Sequence, residues 1–234
     1  MSESKKNMVR DMFNHIAPTY DRLNHLLSFG IDRLWRRRTV RRVAAARPQR
    51  ILDLATGTGD LAVALARRIP EARVTGLDLS AEMLAVGRQK VARKGLSDRI
   101  RLVEGDAEHL PFSDASFDAV TIAFGIRNFG DMDAGLREAV RVLRPGGHIS
   151  ILEFSTPGGH LFGPLYRFYF HHILPFIGRL VSRDDKAYRY LPDSVDHFPN
   201  NLLFLRRMEH SGFTGCRSRR LMRGIAYIYE GVKP

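Results

Sequence analysis

At 234 residues the chain is sized for one generous domain, and 44% hydrophobic with 26% charged residues is ordinary for a folded protein, which excludes global disorder. The single cysteine, Cys216, excludes an internal disulfide framework and suits a reducing compartment. Lys and Arg number 37 against 25 Asp and Glu, and the resulting net charge of +12 points to an anionic partner or surface.

The opening residues, Met1 to Lys6, are polar and lead into no apolar stretch, so no signal peptide is expected. No run of about 18 apolar residues exists, so no membrane span is expected either. A cytoplasmic protein follows. Residues 1–48 read as an N-terminal helical cover. Within it, residues 5–46 carry apolar side chains at helical spacing, with Met8, Met12, Phe13 and Ile16 on one face. Pro18 and Gly30 are expected to cut this segment into shorter helices. The first 50 residues hold 12 basic and 4 acidic side chains, densest from Trp35 to Arg42. Such a patch fits an anionic membrane surface, a nucleic acid, or a merely solvated helix face.

From residue 49 the pattern changes to short apolar runs alternating with helical ones. Strands are expected at Ile51–Leu54, Arg73–Leu77, Ile100–Val103, Phe117–Ile122 and His148–Leu152. Helices are expected at Leu61–Ala66, Ala81–Arg93 and Ala134–Leu143, the last ended by Pro145-Gly146-Gly147. This alternation predicts an α/β fold with a mostly parallel, Rossmann-like sheet and helices on both faces. Residues 49–155 form its cofactor-binding core. Residues 156–198 break the alternation: Leu161 to Leu180 is aromatic and aliphatic but interrupted by Pro164 and Pro175, and reads as an inserted helical lid. Residues 199–234 return to the core, closing it with a strand pair at Phe213–Arg220 and Ile225–Val232. The whole is one domain.

The chemistry is concentrated in Asp53-Leu54-Ala55-Thr56-Gly57-Thr58-Gly59-Asp60. A strand, a glycine turn and a helix start together allow backbone to approach a ligand closely and offer free N–H groups. Gly57, Thr58 and Gly59 alone fit a dinucleotide loop as well. Asp53 and Asp60, however, would repel a pyrophosphate and suit a ligand bearing an ammonium and a sulfonium, as S-adenosylmethionine (SAM) does. The second strand ends at Asp78-Leu79, 25 residues beyond Asp53, where a carboxylate can accept both ribose hydroxyls. The third ends at Glu104-Gly105-Asp106-Ala107, where a carboxylate can accept the adenine amine. Each of these acids alone could simply cap the following helix. Ala123 ends the fourth strand at the same sheet edge.

Several separated segments then resemble one family. Tyr20 to Ser28 followed by Trp35, Phe124-Gly125-Ile126-Arg127-Asn128, Arg141 to Gly147 with Glu153-Phe154-Ser155, and Tyr188 to Val195 are similar to motifs of the C-methyltransferases of ubiquinone and menaquinone biosynthesis. The resemblance runs from about Val9 to the end. It departs at Leu23 (usually Met), Asp32 (His), Ala123 (Ser) and Arg144 (Lys). It implies a class I SAM-dependent methyltransferase with seven strands, and places Thr58, Asp78, Asp106 and Ala107 at the cofactor. It also implies methylation of a ring carbon on a polyprenylated quinol, most like demethylmenaquinol; the benzoquinol precursor of ubiquinone and other small phenols or sterols are the alternatives.

A ring carbon becomes nucleophilic once a neighbouring hydroxyl loses its proton, so the enzyme must position the carbon and stabilise a phenolate. Arg127, with Asn128 fixing its geometry, is the candidate for that task; the structural alternative is an ion pair with Asp106 or Asp131. Tyr20, with Asp21, is expected to fold over the cofactor and is a further candidate for the proton. Tyr188 and Tyr190 are expected to line the quinol ring. His171-His172 has no metal-ligand pattern, and no metal is expected. Phe162, Tyr166, Phe168, Tyr169 and Phe170, with Arg167 and Arg179, suit an interfacial segment at the inner face of the cytoplasmic membrane. An RNA methyltransferase would use the net charge, but no RNA-binding motif is present and no nucleic-acid partner is expected. A non-catalytic scaffold would lack the cofactor residues. A homodimer is left open.

Overall fold

A computed structural model describes residues 2–157, 163–164, 168–169 and 185–234. Seven strands form one sheet: β1 (Arg50–Leu54), β2 (Arg73–Asp78), β3 (Ile100–Glu104), β4 (Phe117–Ala123), β5 (Leu143–Phe154), β6 (Thr214–Leu221) and β7 (Ala226–Val232). Their order is β3-β2-β1-β4-β5-β7-β6. The first five are parallel, and β7 runs antiparallel to both β5 and β6. Chain order reverses between β1 and β4, so a crevice opens beyond their carboxyl ends, where open α/β sheets bind ligands.

Helices cover both faces. Ile51, Val74 and Ala119 point to one side and pack under Val40 and Val43 of α2 (Ile31–Ala45), Leu61 and Leu65 of α3 (Asp60–Arg68) and Val91 of α4 (Ala81–Arg93). Leu52, Leu54, Val120 and Ile122 point to the other. There they meet Leu136 and Ala139 of α5 (Met132–Val142) and Phe204 and Met208 of a later helix at Asn201–His210. The alternation of side chains along each strand puts both layers of the core on one backbone.

Two expectations need correction. Pro18 does not divide the N-terminal segment: α1 is a single helix, Ser2–Leu27, with Pro18 inside it. A proline within a helix forfeits one hydrogen bond and costs about 3 kcal/mol. Burial of Val9, Ile16, Ala17, Leu23 and Leu27 on both sides of it offsets that loss. Gly30 does divide the segment, with φ 72 and its N–H on the His25 carbonyl at 2.8 Å. The second correction concerns Pro145-Gly146-Gly147, which lies within β5 rather than before it. The chain's end holds it there: Gly146 N–H donates to the Lys233 carbonyl at 2.8 Å, and Lys233 N–H donates to Gly147 at 2.9 Å.

In the inserted segment, α6 (Asp185–Asp196) is helical and includes Pro192. Its Leu191 and Val195 pack on Ile16 and Leu23 of α1. The helix at Asn201–His210, α7, begins at an Asn200 cap whose side chain accepts Leu203 N–H. No helix among the described residues is long and apolar enough to cross a membrane.

Candidate active site

Two cavities meet above the carboxyl edge of the sheet. The first is framed by Ala55 and Gly57 after β1, Leu77 to Ser80 at the end of β2, Gly105 to Glu108 after β3, and Ala123 to Gly125 with Asn128 after β4. Its roof is α1, through Lys6, Val9, Phe13 and Tyr20. Asp78 is the fixed acid of this cavity. One carboxylate oxygen accepts Gly57 N–H at 2.7 Å, and the other accepts Ser80 N–H at 2.9 Å. Burial raises its pKa against those hydrogen bonds. Gly57, with φ 56, turns the chain so that its N–H meets Asp78, a conformation that side chains other than glycine adopt at a cost. Leu79, Ala107 and Ala123 line the same space.

The roof is latched at each strand end in turn. Lys6 Nζ lies 2.7 Å from Asp106 and 2.7 Å from Glu108 after β3. Asn14 accepts the Ser80 hydroxyl at 2.7 Å after β2. Asp21 accepts the Thr58 hydroxyl at 2.6 Å after β1. Lys5 reaches the carbonyl of Phe129 at 2.7 Å, beyond β4. Partial burial opposes ionisation of Asp106, but the Lys6 ammonium and Glu108 N–H outweigh it and hold its pKa down.

The remaining loop residues sit outside this lining. Asp53 lies directly beside Thr121 in the β1–β4 register and is buried beneath the turn. Its two oxygens accept Thr56 at 2.6 Å and Thr121 at 2.7 Å, and burial pushes its pKa up to about 6. Asp60 pairs with Lys90 at 2.6 Å, and Lys90 also donates to Thr58 at 2.9 Å. The acids that the sequence suggested for a cationic ligand are therefore spent on Thr and Lys neighbours. Gly59, with φ 77, starts α3.

Three features show that the first cavity fits SAM. Asp78 and the bound turn offer a carboxylate with spare lone pairs, suited to a diol. The Asn128 amide oxygen is buried without a hydrogen-bond partner, on a residue lining the cavity, and so suits an ammonium donor. The wall between β1 and β4 is pared to backbone: a Cβ on Gly125 would stand 2.4 Å from that of Ala55. Ala55 and Phe124 on either side hold φ of 49 and 59, strained values that persist where packing fixes them.

The second cavity, about 270 Å³, is mostly apolar. Met12, Ile16 and Leu27 of α1, Trp35 of α2, and Phe154, Tyr169 and Tyr190 enclose it. Trp35 meets Phe124 and Phe154 at ring distances of 6.2 and 6.0 Å, while Phe124 stacks on Phe154 at 4.3 Å. Phe13, Tyr20 and Phe124 belong to both cavities and form their common wall.

Arg127 lines the apolar chamber. It sits on a short 3-10 turn, Ile126–Asn128, that follows the strained Phe124. Its partner is neither Asp106 nor Asp131 but Glu153, 2.8 Å away and fully buried on β5. The same Nη1 donates to the Phe124 carbonyl, and Nε donates to Ser194 of α6 at 3.2 Å. The guanidinium lies 5.6 Å from the Phe154 ring centre. Its Nη2 has no partner among the described residues. Burial raises the pKa of Glu153 against the pull of Arg127. Burial likewise raises Tyr20 and Tyr190, which makes both hydroxyls donors rather than proton acceptors near neutrality.

Tyr188 belongs to α6, but its side chain lies outside the described residues, as do Phe162, Tyr166, Arg167, Phe170, His171, His172, Pro175 and Arg179. His25, Asp32 and Asp60 place potential metal donors within 4.8 Å of one another. Arg36 and Lys90 already neutralise the two acids. Sequence reasoning missed Glu153 as the partner of Arg127, and missed Lys6 and Asn14 as latches. The two residues in each of these contacts stand 26, 100 and 66 positions apart, with no local pattern to mark them.

The model of the ubiE/COQ5 methyltransferase family matches residues 1–233. A demethylmenaquinone methyltransferase of Thermus thermophilus is 51% identical, covering 95% of this chain and all of that protein. A ubiquinone/menaquinone biosynthesis C-methyltransferase of Geotalea daltonii is 50% identical over 98% of this chain and 97% of its own. Among solved structures, a SAM-dependent methyltransferase of Thermotoga maritima superposes with a TM-score of 0.67, at 18% identity, over 96% of this chain and 99% of its own. At that identity the likeness is one of fold.

Proposed function

The chain belongs to the ubiE/COQ5 methyltransferase family, and from that premise we propose that it methylates a ring carbon of demethylmenaquinol, with SAM as methyl donor, in menaquinone biosynthesis. The observation that carries this reading is the shared wall of Phe13, Tyr20 and Phe124. It sets the cavity that holds Asp78 and the glycine turn against a mostly apolar chamber that Arg127 lines, where the other two charged residues of the lining, Asp32 and Arg36, are paired with each other. The identity near 50% to relatives named for that reaction supports it.

Bound SAM supplies an electrophilic methyl group on its sulfonium. Asp78 would accept the ribose hydroxyls, Asp106 and Ala107 would face the adenine, Asn128 would receive the ammonium, and the Gly57–Gly59 turn would carry the backbone close. Leu79 and Ala123 would pack against the nucleoside. Thr58 and Asp53 act from behind, Thr58 by tying the turn to Asp21 and Asp53 by bracing β1 against β4.

In the chamber, the quinol ring packs among Trp35, Phe154 and Tyr190. Arg127 steadies the oxygen that loses its proton, through the Nη2 left over from its contacts with Glu153, Phe124 and Ser194. An arginine so paired stays charged and serves as an electrostatic stabiliser, with water as the proton acceptor. Tyr20 and Tyr190 donate hydrogen bonds that orient the ring, and Tyr188 is assigned the same role. Beside the chamber, α6 packs on α1 through Leu191 and Val195. The prenyl tail makes the substrate a bilayer component, so we place the enzyme at the inner face of the cytoplasmic membrane as a peripheral protein.

The test is a side-by-side assay of the purified protein with SAM and either reduced demethylmenaquinone or the benzoquinol precursor of ubiquinone. The naphthoquinol is expected to be methylated with the higher kcat/KM. Preference for the benzoquinol would move the assignment to the ubiquinone branch, and turnover of neither would overturn it.

A further inference from the structure

A second concave surface flanks the apolar chamber and has no part in holding cofactor or ring. Arg33, Arg37 and Arg41 repeat every four residues along α2 and make one stripe. Arg67 and Arg68 at the end of α3 stand across from them, and Lys94 follows α4. All six line one cleft of about 840 Å³. None has an ion-pair partner among the described residues. The acid in the cleft, Asp60, is already 2.6 Å from Lys90. Cations with a structural role find acceptors, as Arg42 does with Glu230, Arg141 with Glu138, and Arg99 with the carbonyls of Ala66 and Pro70. Six unpaired ones around a single concavity repel one another and call for an anion.

The cleft adjoins the chamber: Arg36 lines both. Phe29, in the turn that leads into α2, is 77% exposed and lines the chamber. Leu34 is 43% exposed and projects within about 100° of Arg33 around the helix, on the side of the arginine stripe. A nucleic acid would satisfy the charge but leave these apolar groups in water. An anionic bilayer satisfies both, with lipid phosphates against arginines and side chains such as Phe and Leu in the interface. We infer that the α2–α3 cleft and the Phe29 turn form the surface by which this protein docks on anionic phospholipid, beside the entrance to the chamber. The inference rests on the reading that the substrate comes from a bilayer, and it assigns the contact to α2 and α3 rather than to the aromatic segment 161–180.

The experiment is cosedimentation of the full chain with phosphatidylglycerol-containing vesicles and with pure phosphatidylcholine vesicles, at low and raised salt. The wild type is expected on the anionic vesicles only, released as salt screens the charge. Arg33→Gln/Arg37→Gln/Arg41→Gln is expected to weaken binding about 100-fold, from roughly fivefold per charge. Arg67→Gln/Arg68→Gln, on the opposite wall, tests the same cleft independently. Arg206→Gln/Arg219→Gln/Arg220→Gln removes the same net charge elsewhere and is expected to leave binding within about twofold. Phe29→Ser is expected to weaken binding without changing its salt dependence. Equal losses in the cleft and control triples would overturn the inference, as would a single-stranded oligonucleotide displacing the protein from vesicles at matched phosphate concentration. Methylation of a short-chain, water-soluble quinol is expected to persist in the α2 triple variant. If vesicle binding ignores the cleft variants while that turnover persists, the docking surface fails and the catalytic reading stands. If cleft variants lose vesicle binding but no quinol is methylated by the wild type, the reverse holds.

Discussion

Replacing Arg127 with Met tests whether the Arg127–Glu153 pair is an energetic unit at the centre of the site. Glu153 is fully buried, and its partner is 6% exposed at a separation of 2.8 Å. Removing the guanidinium leaves a carboxylate with Phe154 N–H at 2.8 Å and a distant Arg127 N–H at 3.4 Å. Breaking such a buried pair costs about 3–5 kcal/mol. The cost depends on pH in a definite direction. Burial already raises the pKa of Glu153 in the folded protein, and Arg127 opposes that rise. Without Arg127 the folded protein holds a proton on Glu153 that the unfolded chain loses above its ordinary value. The deficit is therefore smallest near pH 4.5 and grows as pH rises toward the raised folded value. Urea unfolding of wild type and variant at pH 5 and pH 8 measures it. A loss of about 3–5 kcal/mol is expected at pH 8, falling by at least about 1 kcal/mol at pH 5. Arg127→Met/Glu153→Leu is expected to regain most of the loss while remaining inactive. A deficit below about 1 kcal/mol, or one equal at both pH values, would refute the reasoning.

Three further outcomes are expected. Asp53 keeps its proton up to about pH 6 in the folded state, so its stabilising protonated form is lost as pH rises through that value. Asp53→Asn, a permanent mimic of that form, is expected to flatten the fall in stability between pH 4 and 7 by about 2–3 kcal/mol; an unchanged pH slope in chemical denaturation would contradict this. Gly125→Ala places a methyl 2.4 Å from the Ala55 Cβ, and is expected to lower stability by about 1–3 kcal/mol in thermal or urea unfolding; wild-type stability would mean the β1–β4 wall has slack. Lys6→Met removes the latch on Asp106 and Glu108, and stopped-flow measurement is expected to show cofactor release about five- to tenfold faster; an unchanged rate would mean that α1 does not hold the cofactor.

The strands were legible because each is a short apolar run closed by glycine or acid, and burial on both faces requires that composition. The turn after β1 was legible for a different reason: Gly57 and Gly59 sit where the backbone needs positive φ. Its acids were misleading. A carboxylate beside a glycine turn looks available for a ligand, yet Asp53 and Asp60 face Thr121 and Lys90, which arrive from β4 and α4. Pro18 was overread because a local breaker says nothing of the packing that holds α1 on both sides of it. The helix Asn201–His210 gave little signal: Leu202 and Leu203 are exposed while Phe204 and Met208 are buried, which blurs its periodicity. Arg127 was singled out by its place after β4, and it lies in the lining of the apolar chamber. Its partner on β5 is fixed only by the neighbouring register of the two strands.

The central claim is that the shared wall of Phe13, Tyr20 and Phe124 brings a methyl donor on one side to a ring carbon on the other. Its most direct test is to incubate the purified protein with methyl-labelled SAM and reduced demethylmenaquinone, then locate the label in the product by NMR. The label is expected on the unsubstituted quinone-ring carbon, and Arg127→Met should abolish it while SAM binding persists. Label on oxygen as a methyl ether, or full transfer by the Arg127 variant, would contradict the account.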